Sequence, residues 1–206
     1  MTRYIIVGTG AAGVAAASAI RTHDASGEIL LIGEESAGYY SRPALAYYLA
    51  NEIPEEMLYP FTKQDFKDLK LTRLHDQVIK IDPAAHQIHT RRGKTISYDK
   101  LLIAVGATAV RPKMPGADLE GVIKLDNLRD TRKIIQRARR AKTAVVVGGG
   151  ITALEIVEGL LARKIKVHYF LRKDRYWGNV LDSTESKIVE MRLINEGVRI
   201  HYHTEL

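Results

Sequence analysis

Residues 4–13, Tyr-Ile-Ile-Val-Gly-Thr-Gly-Ala-Ala-Gly, constrain this chain more than any other stretch. They read as an apolar, β-branched strand that runs into a glycine turn and then into a helix. Gly8, Gly10 and Gly13 fit the spacing G-x-G-x-x-G. The first glycine of that pattern makes a tight turn, the second lets a pyrophosphate reach the backbone, and the third lets helix and strand pack closely. Phosphates held there meet the free N–H groups at the positive end of the following helix. The pattern predicts a bound dinucleotide.

The flanking residues agree. Residues 4–7 have the continuous apolar character of a strand covered on both faces, and the alanine-rich run 11–22 is a strong helix former whose small side chains allow close approach to a sheet. A second apolar strand at 29–32 is followed by Glu34 and Glu35, the first of them 21 residues after Gly13. A carboxylate at that distance is placed to hold a ribose.

The chain has 206 residues, 46% of them hydrophobic and 27% charged, which is enough to bury a core and unlike a disordered segment. No apolar run is long enough to cross a bilayer, and the short apolar start lacks the form of a secretion signal, so the chain reads as cytoplasmic with no membrane span. With no cysteine, it offers no disulfide, thiolate metal site or redox dithiol. The net charge of +7 reads as spread over several segments without an aromatic-basic motif, so nucleic acid is not the expected partner. Anionic cofactors or an acidic partner account for part of it.

Further along, Ser41 is a candidate helix cap, with Pro43 in the first turn of a helix reaching Leu49. Residues 70–105 change to short alternating strands at 71–75, 78–82, 87–90, 95–98 and 101–105, a pattern that predicts a β-meander inserted between parallel elements. The last of these is apolar throughout and returns to the main sheet. Two prolines and a glycine at 111–116 mark a linker, which divides the chain into segments 1–112 and 113–206. Residues 127–141 form a basic amphipathic helix with Leu128, Ile135 and Ala138 on one side.

The opening unit then recurs. A strand at 143–147 leads into Gly148-Gly149-Gly150-Ile151-Thr152-Ala153 and a helix from about 154 to 163, which fits G-x-G-x-x-A, with its first glycine 140 residues after Gly8. The next strand, 165–171, ends at Arg172 and Lys173 without an acid. Arginine there accommodates a 2′-phosphate and leans the second site toward NADPH, against a reading in which both cations only face solvent. Asp182 caps a further helix, with Glu185 three residues on, and Gly197 ends it before a strand at 198–203. The fold class is α/β, with two Rossmann-like nucleotide-binding domains and an inserted β-meander. The second domain stops on its third strand, so the chain reads as part of a larger protein.

In this order the motifs resemble the FAD-dependent pyridine nucleotide-disulfide oxidoreductases, over essentially the whole chain. Residues 8–13 are similar to the family's FAD fingerprint, Ala104-Val-Gly-Ala107 to its Ala-Thr-Gly-Ala turn, and residues 148–155 to its nicotinamide-nucleotide fingerprint. Tyr40-Ser-Arg-Pro-Ala-Leu45 is similar to the Tyr-x-Arg-Pro-x-Leu segment of rubredoxin, ferredoxin and nitrite reductase flavoproteins. The resemblance implies that Gly8, Gly10, Ala11, Ala12 and Gly13 line the FAD pyrophosphate, with Glu34 and Glu35 at the ribose, Arg42 and Pro43 beside flavin and pyrophosphate, and Val78 near the adenine. Ala104, Gly106, Ala107 and Arg111 follow along the cofactor. Gly148, Gly150, Ile151 and Ala153 take the NAD(P)H pyrophosphate, Glu155 the nicotinamide region, and Arg172 the second ribose.

The implied activity is hydride transfer from NAD(P)H to FAD and onward electron transfer to a small redox protein or small-molecule acceptor, with no protein group as nucleophile or general acid. The resemblance allows a homodimer of the full-length protein. Tyr47 stands where relatives often carry a lysine, and the absence of cysteine excludes disulfide reduction through a protein thiol. The family's second FAD segment, ending in Gly-Asp, would lie beyond residue 206. A non-catalytic nucleotide-binding fragment is the alternative. His201 and His203, two apart on a strand, could share a face but fall short of a zinc site, and no metal is expected.

Overall fold

A computed structural model describes residues 1–205. In chain order the elements are β1 (Arg3–Val7), α1 (Ala11–His23), β2 (Glu28–Gly33), α2 (Leu45–Leu49), α3 (Lys63–Asp68), β3 (Leu71–His75), β4 (Val78–Asp82), β5 (Gln87–Thr90), β6 (Thr95–Ser97) and β7 (Lys100–Ile103). They continue with α4 (Leu128–Ala138), β8 (Thr143–Val147), α5 (Ile151–Ala162), β9 (Lys166–Phe170), α6 (Ser183–Asn195) and β10 (Arg199–His201). The chain divides into two compact units: Met1–Ser41 with Glu56–Thr108, and Arg42–Glu55 with the chain from Ala109 on.

In the first unit four parallel strands run in the order β3-β2-β1-β7. The two-residue period of β1 explains why its whole run is apolar. Ile6 packs with Val14 and Ala17 of α1 and with Ile29 and Leu31 of β2, while Ile5 and Val7 pack with Ile32 and with Ile88 of β5. Each fully buried Ile contributes about 1.5–3 kcal/mol. The helix covers one face and the antiparallel sheet β4-β5-β6 the other.

This sheet is the expected meander, less its first strand. Residues 71–75 instead pair parallel with β2, Leu71 opposite Ile29 and His75 opposite Gly33. They emerge from α3, whose Thr62 caps Asp65 in a reciprocal capping box, so the chain crosses over and returns in the same direction. β7 does return to the sheet, but as its edge, which leaves Leu102 and Ile103 exposed despite their apolar character.

The second unit carries the parallel sheet β10-β9-β8, with α5 burying Ala153, Val157 and Leu160 against Val167 and Tyr169. α4 adds Ile134, Ile135 and Ala138 to this core, and Asn127 caps it by accepting from the Asp130 N–H. α5 begins at Ile151, three residues before the sequence suggests, because the helix opens directly from Gly150. Asp182 and Glu185 form the reciprocal capping box of α6.

Residues 42–55 join this unit through contacts distant in sequence. Leu49, fully buried, enters the core, and the Arg163 guanidinium donates to the Leu49 carbonyl at 2.7 Å. Glu55 accepts from the Tyr48 hydroxyl at 2.8 Å and pairs with Arg132. The helix here starts at Leu45, not near Ser41. The Ser41 N–H is tied to the Leu58 carbonyl, and Leu45 closes a turn onto Arg42, so Pro43 lies in that turn and no side chain caps the helix. Gly159 of α5 faces Leu49 so closely that a Cβ would overlap its side chain. Gly159→Ala should therefore lower stability by about 1–3 kcal/mol, read as a lower denaturant midpoint; an unchanged midpoint removes this packing argument.

Candidate functional site

Each unit contains the same construction: a strand in a parallel sheet, a glycine turn, and a helix with no side-chain cap. In the first unit the turn is tied on both sides. The Gly8 N–H donates to the Ile32 carbonyl at 2.7 Å and the Ala104 N–H donates to the Val7 carbonyl at 2.7 Å. Gly8 has φ +121, and a Cβ on it would overlap the Ala104 carbonyl. A Cβ on Gly13 would overlap the Gly8 carbonyl oxygen and lie 3.3 Å from Ile6. Gly10 differs: its backbone is extended at φ −80 and ψ −171, and a Cβ there meets nothing within 4 Å.

Open space therefore lies beside Gly10, in front of the exposed Ala11 and Ala12 and the uncapped first turn of α1. The first N–H groups of a helix have no partner inside it, so this turn presents donors and a partial positive charge. Gly106 and Ala107 follow β7 as exposed backbone, Gly106 at φ +67 with nothing near its Cβ position. The space left bare beside Gly10 and Gly106, in front of an uncapped helix turn, fits a diphosphate.

A cleft of about 240 Å³ opens at the ends of β2 and β3, lined by Thr9, Gly33, Glu35, Ser36, Arg73 and His75 among others. Glu35 lines it and accepts from the Tyr40 hydroxyl at 2.6 Å, whereas Glu34 is exposed at the tip of β2 with its carbonyl 2.9 Å from His75 Nε2. Arg73 and His75 are sequence-silent members of this group, since their strand reads as part of the meander. The signal that could have found them is the Thr62-x-x-Asp65 box, which announces a helix and hence a crossover. Val78 sits at the start of β4, half-buried against the core.

In the second unit Gly148 has φ +141, and Gly150 opens α5 in extended conformation with nothing near its Cβ position. A Cβ on Gly148 would stand 3.2 Å from the Ala153 methyl, tight but without backbone overlap. No strand borders β8 on its outer side among the described residues, so the wall that Ala104 supplies to the first turn has no counterpart here. The third motif residue is alanine, its methyl 3.2 Å from the Cβ position of Gly148.

Ile151 and Glu155 border a larger cleft of about 700 Å³, together with Tyr47, Glu52, Glu158 and Glu196. Burial pushes the Glu155 carboxyl up. Glu158 is raised by desolvation, reinforced by Glu196, Glu155 and Glu52, with Arg192 opposing. Both acids are thus easier to protonate in the fold, and the stability this gives is complete below the unfolded carboxylate pKa and lost as pH rises through the higher folded value. Glu158→Gln should raise the melting temperature at pH 8 by an amount worth below about 1 kcal/mol, given its exposure, and leave it unchanged at pH 4. An equal shift at both pH values contradicts the charge explanation.

Arg42 donates to the Asp126 carbonyl, and Asp126 accepts from the Ala109 N–H and pairs with Lys124. Arg111 is exposed, and Arg172, just beyond β9, pairs with Glu205 at 3.4 Å on the surface. His201 and His203 do not share a strand face, because β10 ends at His201 and His203 adopts φ +51. His201 Nε2 instead lies 2.9 Å from His168 Nδ1, and no cluster of metal-ligating side chains exists among the described residues. No described helix is long and apolar enough to cross a membrane.

This double construction is matched by a family model, the pyridine nucleotide-disulphide oxidoreductases, over residues 2–206. The chain belongs to that family. A rubredoxin-NAD(+) reductase of Pseudomonas putida is 29% identical over 98% of this chain and 53% of its own. The ferredoxin–NAD(+) reductase component of a biphenyl dioxygenase system, from Paraburkholderia xenovorans, is 32% identical over 97% of this chain and 49% of its own. Among solved structures, a ferredoxin reductase from Rhodopseudomonas palustris superposes with a TM-score of 0.93 at 27% identity, covering all of this chain and 51% of that one. Putidaredoxin reductase, in covalent complex with putidaredoxin, gives 0.90 at 27% identity, covering all of this chain and 50% of that one. The chain spans about half the length of the relatives it matches.

Proposed function

We propose that this chain forms the nucleotide-binding part of a flavoprotein reductase, with FAD held by the first unit and NAD(P)H by the second. When bound, the nicotinamide supplies a hydride and the flavin accepts it, then releases electrons singly or in pairs to an acceptor. The chain's own residues position and screen. Gly8 and Gly13 let strand, turn and helix close on one another, Gly10 keeps the turn bare for a pyrophosphate, Ala11 and Ala12 leave the helix end accessible, Glu35 offers a carboxylate toward a ribose, and Gly106 and Ala107 present bare backbone. Gly148 and Gly150 repeat the cradle for the second nucleotide. Glu155 and Ile151 border the cleft beside it, and Arg172 stands at the tip of β9 where a ribose 2′-phosphate is accommodated, which favours NADPH.

The observation that carries this reading is the repetition, in one chain, of an uncapped helix opening from a glycine turn at the end of a parallel strand. The acceptor is a small redox protein, in keeping with the rubredoxin and ferredoxin reductases it resembles. With no cysteine in these residues, no dithiol relays the electrons within them. Steady-state oxidation of NADH and NADPH by the intact protein, with a dye as acceptor, tests the proposal. Turnover with a preference for NADPH is expected; nucleotide binding without turnover would leave only a binding module.

A further inference from the structure

The basic excess is not spread evenly. Residues 127–142 carry seven cations (Arg129, Arg132, Lys133, Arg137, Arg139, Arg140 and Lys142) against one acid, Asp130, a net of +6 out of the chain's +7. Folding sorts them. α4 buries Leu128, Asp130, Thr131, Ile134, Ile135 and Ala138, which leaves Arg129 and Lys133, one turn apart, on its outer face, and Arg139 and Arg140 exposed in the turn just past its end.

Arg132 is paired with Glu55 and Arg137 with Glu120, but Arg129, Lys133, Arg139, Arg140 and Lys142 make no ion pair with any described residue. Their placement is unfavourable for the helix itself. Arg129 lies in the first turn, where the helix dipole disfavours a cation, and Arg129–Lys133 and Lys133–Arg137 are like-charge pairs four apart. The helix dipole favours Arg139 and Arg140 at the C-terminal end, but nothing within the fold rewards Arg129 and Lys133.

We propose that the outer face of α4 docks an acidic protein surface, in the setting of the proposed function a small redox protein that accepts the electrons. Arginine forks suit paired carboxylates, and a one-signed stripe steers an oppositely charged partner and speeds its association. A bilayer fits poorly, because the helix's apolar side is already spent on the core and no apolar residue is left to insert. Nucleic acid fits poorly as well: beside the cations stands only Gln136, with no aromatic side chain to stack a base.

The test uses the intact protein and its triple variant R129Q/K133Q/R140Q, with three probes: an acidic plant-type ferredoxin, a DNA duplex, and phosphatidylserine vesicles. At low salt the parent should bind ferredoxin more tightly than the other two, with affinity falling as salt rises. The triple variant should bind it about tenfold more weakly, mainly through a slower on-rate, with a flattened salt dependence. A charge-reversed variant, R129E/K133E/R140E, should lose more, and both variants should melt no lower than the parent, because the three side chains are exposed and the changes add no repulsion to the helix. Ferredoxin affinity that is absent in the parent or equal in the variants overturns the proposal, as does DNA or vesicle binding that exceeds ferredoxin binding. NAD(P)H oxidation with a neutral quinone reads the underlying reductase separately: its absence refutes the proposed function, while the binding arms still decide the role of α4.

Discussion

Gly13→Ala is expected to cost the protein both the proposed flavin binding and much of the stability of its first unit. The added methyl would lie inside contact distance of the Gly8 carbonyl oxygen and only 3.3 Å from the Ile6 side chain. The helix must then lift from the strand, separating Val14 and Ala17 from Ile6, Ile29 and Leu31. Forced overpacking of this kind costs about 1–3 kcal/mol, to which the loosened core adds. Chemical denaturation should show an early loss of the first unit, and the purified variant should be colourless. The same methyl is native in the second unit as Ala153, so intolerance at 13 follows from the crowding of this turn, and a Gly13→Ala protein with normal stability would show that the helix does not sit this close.

Gly10→Val should give the opposite separation. The φ of −80 at this position suits any residue, and nothing lies within 4 Å of the Cβ position, so the apo protein should melt within about 0.5 kcal/mol of the parent. The new side chain would instead occupy the space in front of the uncapped turn. Forcing a bound diphosphate against it at a cost of about 1–3 kcal/mol corresponds to an about fivefold to 150-fold weaker hold on FAD. Equilibrium dialysis with FAD and a thermal melt of the apo protein measure the two effects independently. Unchanged FAD affinity would mean that the phosphates lie elsewhere. The pair of variants thus separates a glycine that shapes the fold from one that leaves room for a ligand.

The parts of this structure that were legible in the sequence are those written locally. The glycine spacing, the β-branched run before it and the alanines after it lie within about twenty residues and specify β1, its turn and α1; Asp182 with Glu185, and Asn127 with Asp130, similarly mark where α6 and α4 begin. What escaped is non-local. Leu71 and Leu74 alternate like residues of a meander strand, and only the pairing with β2, about forty residues earlier, makes that strand parallel. The allegiance of residues 42–55 rests on Glu55 with Arg132 and Leu49 with Arg163, 77 and 114 residues apart. The choice between Glu34 and Glu35 turns on which of two neighbours faces the cleft, a question that composition cannot reach.

The most direct measurement is an anaerobic titration of the intact protein, first with FAD and then with NADPH or NADH, followed by absorbance. One FAD per chain, its yellow colour bleached by one equivalent of reduced nicotinamide nucleotide, is the expected result. A protein that stays colourless with excess FAD, or a bound flavin that keeps its colour in the presence of both nucleotides, would contradict the assignment of the two cradles.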